Sequence, residues 1–247
     1  MKFGLIGHPI EHSLSPALFK AGYDGLYPYE LIETPDFEQA YSVFLKEYDG
    51  INVTAPFKEL ALKKADIISE ECRMIGATNL LVKTADGVKA YNSDYLGLRL
   101  WLSEISKLMN ERPRVLIVGM GGAGKAAAAA ARSSGYETVL MNRTQYSPEI
   151  LPLSEFCNEF RKSDIIIYNL PVRIPQIDWL SEEDLSAGKG KTILEANYRH
   201  PGFDLRHANI NYVDGKEWLL LQAVTGYEIF IGQTPDYEAM KAVIKSK

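Results

Sequence analysis

One stretch restricts this chain more than any other: Arg114-Val-Leu-Ile-Val-Gly-Met-Gly-Gly-Ala-Gly-Lys125, followed by alanines to Ala131. Val115 to Val118 is aliphatic and rich in β-branched types, the composition of a strand buried on both faces in a parallel sheet. Gly119, Gly121 and Gly124 then give the spacing G-x-G-x-x-G, and the alanines are strong helix formers. Strand, glycine turn and helix in that order predict a dinucleotide cradle. Gly119 permits the tight turn, Gly121 lets a pyrophosphate approach the backbone, and Gly124 lets the helix pack close to the strand. Gly122 and Ala123 share the helix's first turn, where free N–H groups and partial positive charge suit a phosphate. The plain alternative is a glycine-rich turn ahead of a core helix.

Bulk properties narrow the remainder. A chain of 247 residues allows one large domain or two medium ones, and 46% hydrophobic residues suffice for a core. Net charge is −5 without a long run of one sign, which argues against nucleic-acid or membrane-surface partners. No apolar segment reaches membrane-spanning length, and the short apolar run after Met1 lacks a small-residue cleavage site, so the expectation is cytoplasmic. Cys72 and Cys157 lack metal spacing, and Pro9 between His8 and His12 argues against a helical metal pair. No metal site is expected.

In chain order, Lys2 to Ile6 reads as a strand. Ser15-Pro16 reads as a helix start, with Ser15 at the N-cap. Ser13 and Ser15 beside that N-terminus suit a carboxylate, the alternative being plain capping with Ser13 solvated. Strands are expected at Tyr29 to Ile32 and Ile51 to Thr54, and helices over Phe37 to Glu47 and Leu60 to Glu71. Asn52, Thr54 and Lys58 fall at a strand's C-terminal end, where open α/β sheets bind ligands. Lys58 is equally readable as a surface lysine. Asp86-Gly87 predicts a hairpin turn leading into Val88 to Tyr91. Asn79, Asn92 and Asp94 add further polar groups at element ends, Asp94 being readable as a simple helix-start acid. Asn110 to Pro113 reads as a hinge. Past the glycines, the position where NAD sites place an acid holds Asn142-Arg143-Thr144, with no acid until Glu149. That favours a 2′-phosphate, hence NADP. Further strands are expected at Thr138 to Met141, Asp164 to Tyr168 and from Thr192. Helices are expected at Phe156 to Arg161, around Gln222 and over Asp236 to Ile244. Gln222 lies in an apolar helical run, so a purely structural role requires an internal partner.

Four segments resemble the shikimate dehydrogenase family in order and spacing. They are Gly7-His-Pro-Ile-Glu-His-Ser-Leu-Ser-Pro16, Asn52-Val-Thr-Ala-Pro-Phe-Lys58, Gly76-Ala-Thr-Asn-Leu80 and Asn92-Ser-Asp-Tyr-Leu-Gly97. The closing run Gly215 to Gly232 is similar to the family's last motif, with Trp218 in place of its methionine. Three departures stand out. Ser93 replaces a threonine, and Asn169-Leu-Pro-Val-Arg173 replaces N-A-T-P-x-G-M. One extra residue separates Tyr198 from Pro201.

The resemblance implies an α/β protein of two domains. An N-terminal substrate domain with a mainly parallel sheet would span 1–101, with helices 221–247 packing back on it. A Rossmann-type NADP-binding domain would span 102–220, with a cleft between the two. Lys58 and Asp94 would be the catalytic pair. Ser13 and Ser15 would hold the substrate carboxylate, and Thr54, Asn79, Asn92, Tyr198 and Gln222 would meet its hydroxyls. Asn142, Arg143 and Thr144 would take the 2′-phosphate side of NADP, and Gly215 the nicotinamide amide. The implied activity is NADPH-dependent reduction of 3-dehydroshikimate to shikimate. A quinate dehydrogenase paralogue and a non-catalytic NADP-binding module are the alternatives. Small molecules are the only partners expected, for a monomer or homodimer.

Overall fold

The first sheet begins where the hydrophobic pattern is densest. β1 (Phe3–Gly7) is buried along its whole length, and α1 (Ser15–Gly22), β2 (Tyr29–Glu33), α2 (Phe37–Glu47) and β3 (Gly50–Val53) follow. Next come α3 (Lys58–Lys63), β4 (Ile67–Ile68), α4 (Glu70–Ile75), β5 (Leu80–Thr84) and β6 (Gly87–Tyr91). The strand order is β2-β1-β3-β5-β6-β4, with β5 antiparallel to both neighbours and the other pairings parallel. The computed structural model describes residues 1–109, 112–186, 190–203 and 207–246. Asn110 and Glu111 of the expected hinge lie outside them.

The helix expected over Leu60 to Glu71 is instead two helices separated by β4. The chain leaves helical geometry because the edge of β6 offers it a partner. Asp66 N–H donates to Val88 O at 2.8 Å, and Asp66 Oδ2 accepts from Val88 N–H at 2.7 Å. Two β-branched residues, Ile67 and Ile68, then pair with Lys89 and Ala90. The β5–β6 hairpin also differs by one residue from expectation. Thr84 pairs with Gly87, so Ala85 and Asp86 form the loop and Gly87, at φ +121°, begins the strand.

The chain divides into two compact units, Met1–Gly97 with Leu220–Lys247, and Leu98–Leu219. The boundaries fall inside α5 (Ser93–Ser106) and a later helix. The second unit holds β7 (Arg114–Val118), α6 (Gly122–Ser133), β8 (Glu137–Met141), β9 (Ile150–Leu151), α7 (Phe156–Lys162) and β10 (Ile165–Tyr168). It continues through α8 (Glu182–Ser186), β11 (Lys191–Glu195) and β12 (Ile210–Asp214) into α9 (Gly215–Ile231). Its sheet is parallel throughout, in the order β12-β11-β10-β7-β8-β9. This is the doubly wound dinucleotide-binding order, with its switch point between β7 and β10. The α/β class with mainly parallel sheets is therefore as expected. β9 and β12 were not foreseen. Each is a sheet edge, so neither needs the unbroken apolar run that marks β7 or β10.

The last helix, α10 (Tyr237–Lys245), is capped by Asp236, whose Oδ1 accepts from Ala239 N–H at 2.9 Å. It packs on α1, where Gly22 leaves room for Pro235 and Met240. Phe3, Phe19, Tyr227 and Phe230 form a cluster of stacked, tilted and edge-on rings that ties α9 to the first sheet. In the second unit Arg161 donates to both carboxylate oxygens of Asp184, and Ser181 N–H adds a bond of 2.9 Å. Arg161 first, then that amide, holds the Asp184 carboxyl down to about 2. A lowered native value stabilises the fold above the ordinary carboxylate range, and that gain is lost as pH falls through about 2. Asp184→Asn therefore melts below wild type at neutral pH, with the gap closing as acid is added. A gap that persists unchanged at pH about 2 would count against the pairing.

Candidate active site

In the first unit, polar side chains gather at strand ends and helix starts. Lys58 opens α3, just after the C-terminal end of β3, and its carbonyl accepts from Thr78 N–H at 3.1 Å. Asp94 is the second residue of α5. Their side chains meet, Nζ to Oδ2, at 2.6 Å and are 23% and 16% exposed. The surface-lysine reading of Lys58 thus fails, since it reaches a carboxylate 36 residues away in a largely enclosed position.

Asp94 does stand in the first turn of α5, as a helix-start acid would, but it is not the cap, because Asn92 is. Asn92 Oδ1 accepts from Tyr95 N–H at 3.1 Å while Nδ2 donates to Ala77 O at 3.2 Å. Asn79 grips the next residue: its Oδ1 accepts from Ser93 N–H at 2.7 Å and its Nδ2 donates to Ser93 Oγ at 3.1 Å. These two buried amides set the first turn of α5 and so aim Asp94. The Ser93 hydroxyl donates to Gln222 Oε1 at 3.1 Å, supplying the internal partner that an apolar helix position demands. Gly97 allows this approach, since a Cβ there would lie 2.5 Å from Gln222 N. Thr54 continues β3, bonded to Ile6 O through its N–H at 2.9 Å, and its side chain is half-buried.

Tyr29, which the sequence reading left out of the site, joins this network through Asn52. The Tyr29 hydroxyl donates to Asn52 Oδ1 at 2.7 Å, and Asn52 Nδ2 donates to Asn79 O at 3.3 Å. A chain of bonds therefore runs from β2 through Asn52, Asn79 and Ser93 to Gln222. Burial pushes the Tyr29 hydroxyl well above its usual range, so it stays a donor. Tyr227 donates to Ser15 O at 3.0 Å, holding the start of α1. The expected cap at Ser15 is absent. Ser15 is the first helical residue, Leu14 precedes it, and no side chain caps the helix. Ser13 Oγ donates to Ser15 Oγ at 3.1 Å and accepts from Ser15 N–H at 3.2 Å, leaving two half-buried hydroxyls side by side.

The second unit holds the glycine turn. Gly119 has φ +93°, where a side chain would be strained, and Gly121 precedes α6 in extended geometry. The Lys125 N–H bond to Gly121 O, at 2.9 Å, is the helix's first. The N–H groups of Gly122, Ala123 and Gly124 are thus the helix's unpaired opening donors. A Cβ built at Gly121 or Gly122 meets nothing within 4 Å, so the space over these donors is open to a pyrophosphate. Asn142 ties the turn to the next strand's end: its Oδ1 accepts from Met120 N–H at 3.2 Å and its Nδ2 donates to Thr144 O at 3.0 Å. Arg143 and Thr144 beside it are exposed, and Glu149 is engaged with Arg132 at 2.8 Å. Across the turn, Asn169 Oδ1 is buried with no hydrogen-bond partner among the described residues. This donor set, with an open cradle and an arginine in place of the usual acid, fits NADP. Tyr198 and Gly215 also belong to this unit, Gly215 fitting where a Cβ would lie 2.2 Å from Ala196 O. Among the described residues no His, Cys, Asp and Glu cluster could hold a metal, and no helix is long and apolar enough to cross a membrane.

Residues 5–81 match the family model described as shikimate dehydrogenase substrate binding domain. A shikimate dehydrogenase (NADP(+)) from Pyrococcus abyssi is 30% identical over 262 residues, covering 98% of this chain and 96% of the relative. The chain belongs to the shikimate dehydrogenase family. It is also 27% identical to a pentafunctional AROM polypeptide of Candida tropicalis, of which it spans 18%. Among solved structures, shikimate 5-dehydrogenase of Thermus thermophilus in complex with NADP(H) and shikimate is 25% identical with a TM-score of 0.82. That match covers 100% of this chain and 99% of the other.

Proposed function

We propose that this chain is an NADP-dependent shikimate dehydrogenase, reversibly reducing 3-dehydroshikimate to shikimate on the route to chorismate and the aromatic amino acids. The observation that carries the reading is the enclosed Lys58–Asp94 pair, at 2.6 Å, at the C-terminal end of β3. Bound NADPH would supply the hydride. Lys58 donates a proton to the ketone oxygen as negative charge grows there, and takes it back in the reverse direction. Asp94 fixes the ammonium in place. Ser13 and Ser15 hold the carboxylate through their paired hydroxyls, while Thr54, Asn79, Asn92, Tyr198 and Gln222 orient the ring hydroxyls. Gly119, Gly121, Gly122, Ala123 and Gly124 take the pyrophosphate, Asn142, Arg143 and Thr144 the 2′-phosphate side, and Gly215 the nicotinamide amide. The proposed division of labour is a substrate domain over 1–101 with 221–247, and a cofactor domain over 102–220. The protein would work in the cytoplasm as a monomer or homodimer.

The test crosses shikimate and quinate with NADP and NAD, following reduced-nicotinamide absorbance. Turnover is expected with shikimate and NADP. A preference for quinate or NAD would move the chain to a paralogous activity. Silence in every combination, from a folded protein that still binds NADP, would leave a regulatory module.

A further inference from the structure

The loop 169–173, which departs from the family pattern, is bonded through Arg173 to residues 202 and 203, just past the lengthened segment 198–201. Its guanidinium donates to the carbonyl oxygens of Gly202, at 3.4 Å, and Phe203, and is steadied by Asp178 at 2.6 Å. The N–H groups of the same two residues donate to Glu195 Oε1, at 2.9 Å from Phe203. Glu195 is 0% exposed, and its Oε2 accepts from the Tyr212 hydroxyl. Residues 202 and 203 are thus gripped at both amides by Glu195 and at both carbonyls by Arg173. Contact is close enough that a Cβ on Gly202 would lie 2.7 Å from the backbone of Val172 and Arg173. Val172 O is itself held by the Tyr168 hydroxyl at 2.6 Å. Asn197 adds a second strap, donating to His200 O at 2.8 Å and Pro171 O at 3.5 Å.

A buried carboxylate is expensive unless donors meet it. Here two of the donors are the backbone amides of Gly202 and Phe203, and a third is the Tyr212 hydroxyl on β12. The segment so closed, 196–201, carries Tyr198. One extra residue lengthens that segment, and the altered 169–173 loop supplies the side chain that closes it.

We propose that Arg173, acting with Glu195, is a positioning residue that sets Tyr198 against the substrate. The proposal rests on the reading of Tyr198 as a substrate contact. Arg173→Lys keeps the charge but loses the planar fork that spans two carbonyls. It is expected to raise KM for shikimate about tenfold, with kcat held within about threefold and NADP affinity unchanged. In a Tyr198→Phe background the same substitution should add nothing further, because the group being positioned is gone. An unchanged KM, or an equal step in both backgrounds, would overturn the proposal and leave the clamp as loop structure only. Arg173→Met, followed by thermal melting beside the kinetics, separates lost folding from lost positioning. Wild-type protein that turns over no shikimate would sink the functional reading itself. Wild-type turnover with an indifferent Arg173→Lys sinks only the clamp.

Discussion

Lys58→Ala should lower kcat with shikimate and NADP by at least about a hundredfold, the scale of a lost general acid/base group. The ketone oxygen becomes an alkoxide as hydride arrives, and without a proton donor at that point its charge goes unmet. In the proposed reaction Lys58, 2.6 Å from Asp94 in an enclosed position, would be that donor. Dinucleotide affinity should be unchanged, because the proposed pyrophosphate site is the glycine turn, of which Lys58 is not a part. Lys58→Arg sharpens the test. A guanidinium keeps the ion pair with Asp94 but holds its proton across the working pH range, so turnover should still fall at least about tenfold. Near-normal kcat in Lys58→Ala would remove Lys58 from the chemistry. A slow Lys58→Ala beside a Lys58→Arg that turns over at the wild-type rate would make the residue a charge rather than a proton donor.

Gly124→Val should abolish useful dinucleotide binding. A Cβ at Gly124 would lie 1.8 Å from Gly119 O, a backbone atom that moves only if the turn itself moves. Relief requires α6 to lift from β7, which turns its opening N–H groups away from the phosphate. Losing two charge-assisted bonds weakens binding by about a hundredfold or more. The same clash should lower the melting temperature, since overpacking of this kind costs about 1–3 kcal/mol. Gly121→Ala is the contrasting case. Its methyl meets nothing within 4 Å, so melting should match wild type while NADP binding weakens, the methyl now occupying the ligand's space. Isothermal titration with NADP and a thermal melt on both variants read the two effects separately. Tight binding by Gly124→Val would show that the turn is only a strand-to-helix connection.

Local chemistry made much of the fold legible. Val115 to Val118, the glycines and the alanine run specify strand, turn and helix from their own backbone preferences, without help from the rest of the chain. Asp236 capped α10 for the same reason, and the apolar run at Ile165 to Tyr168 could only be a buried strand or helix. Where a neighbour distant in sequence had the deciding vote, the reading failed. Residues 64–69 looked helical, and became β4 because β6 had an unpaired edge. β12 alternates too weakly to announce itself, yet β11 accepts it.

The candidate site divides along the same line. The family resemblance named Lys58 and Asp94 as a pair, but nothing within either motif shows that they meet. Their encounter depends on Asn92 and Asn79 capping α5, which displaces Asp94 from the cap and turns it toward α3. Tyr29 and the Ser93–Gln222 bond were invisible because each joins segments far apart in the chain. By itself, then, the sequence determined the α/β architecture, the glycine cradle and the chemical types at the strand ends. Propensity, glycine torsions and capping are short-range properties of the chain. Which polar groups point at one another, and which loops clamp one another, was decided by tertiary packing alone. Hydrogen bonds and ion pairs act over a few ångströms in space, whatever their separation in sequence.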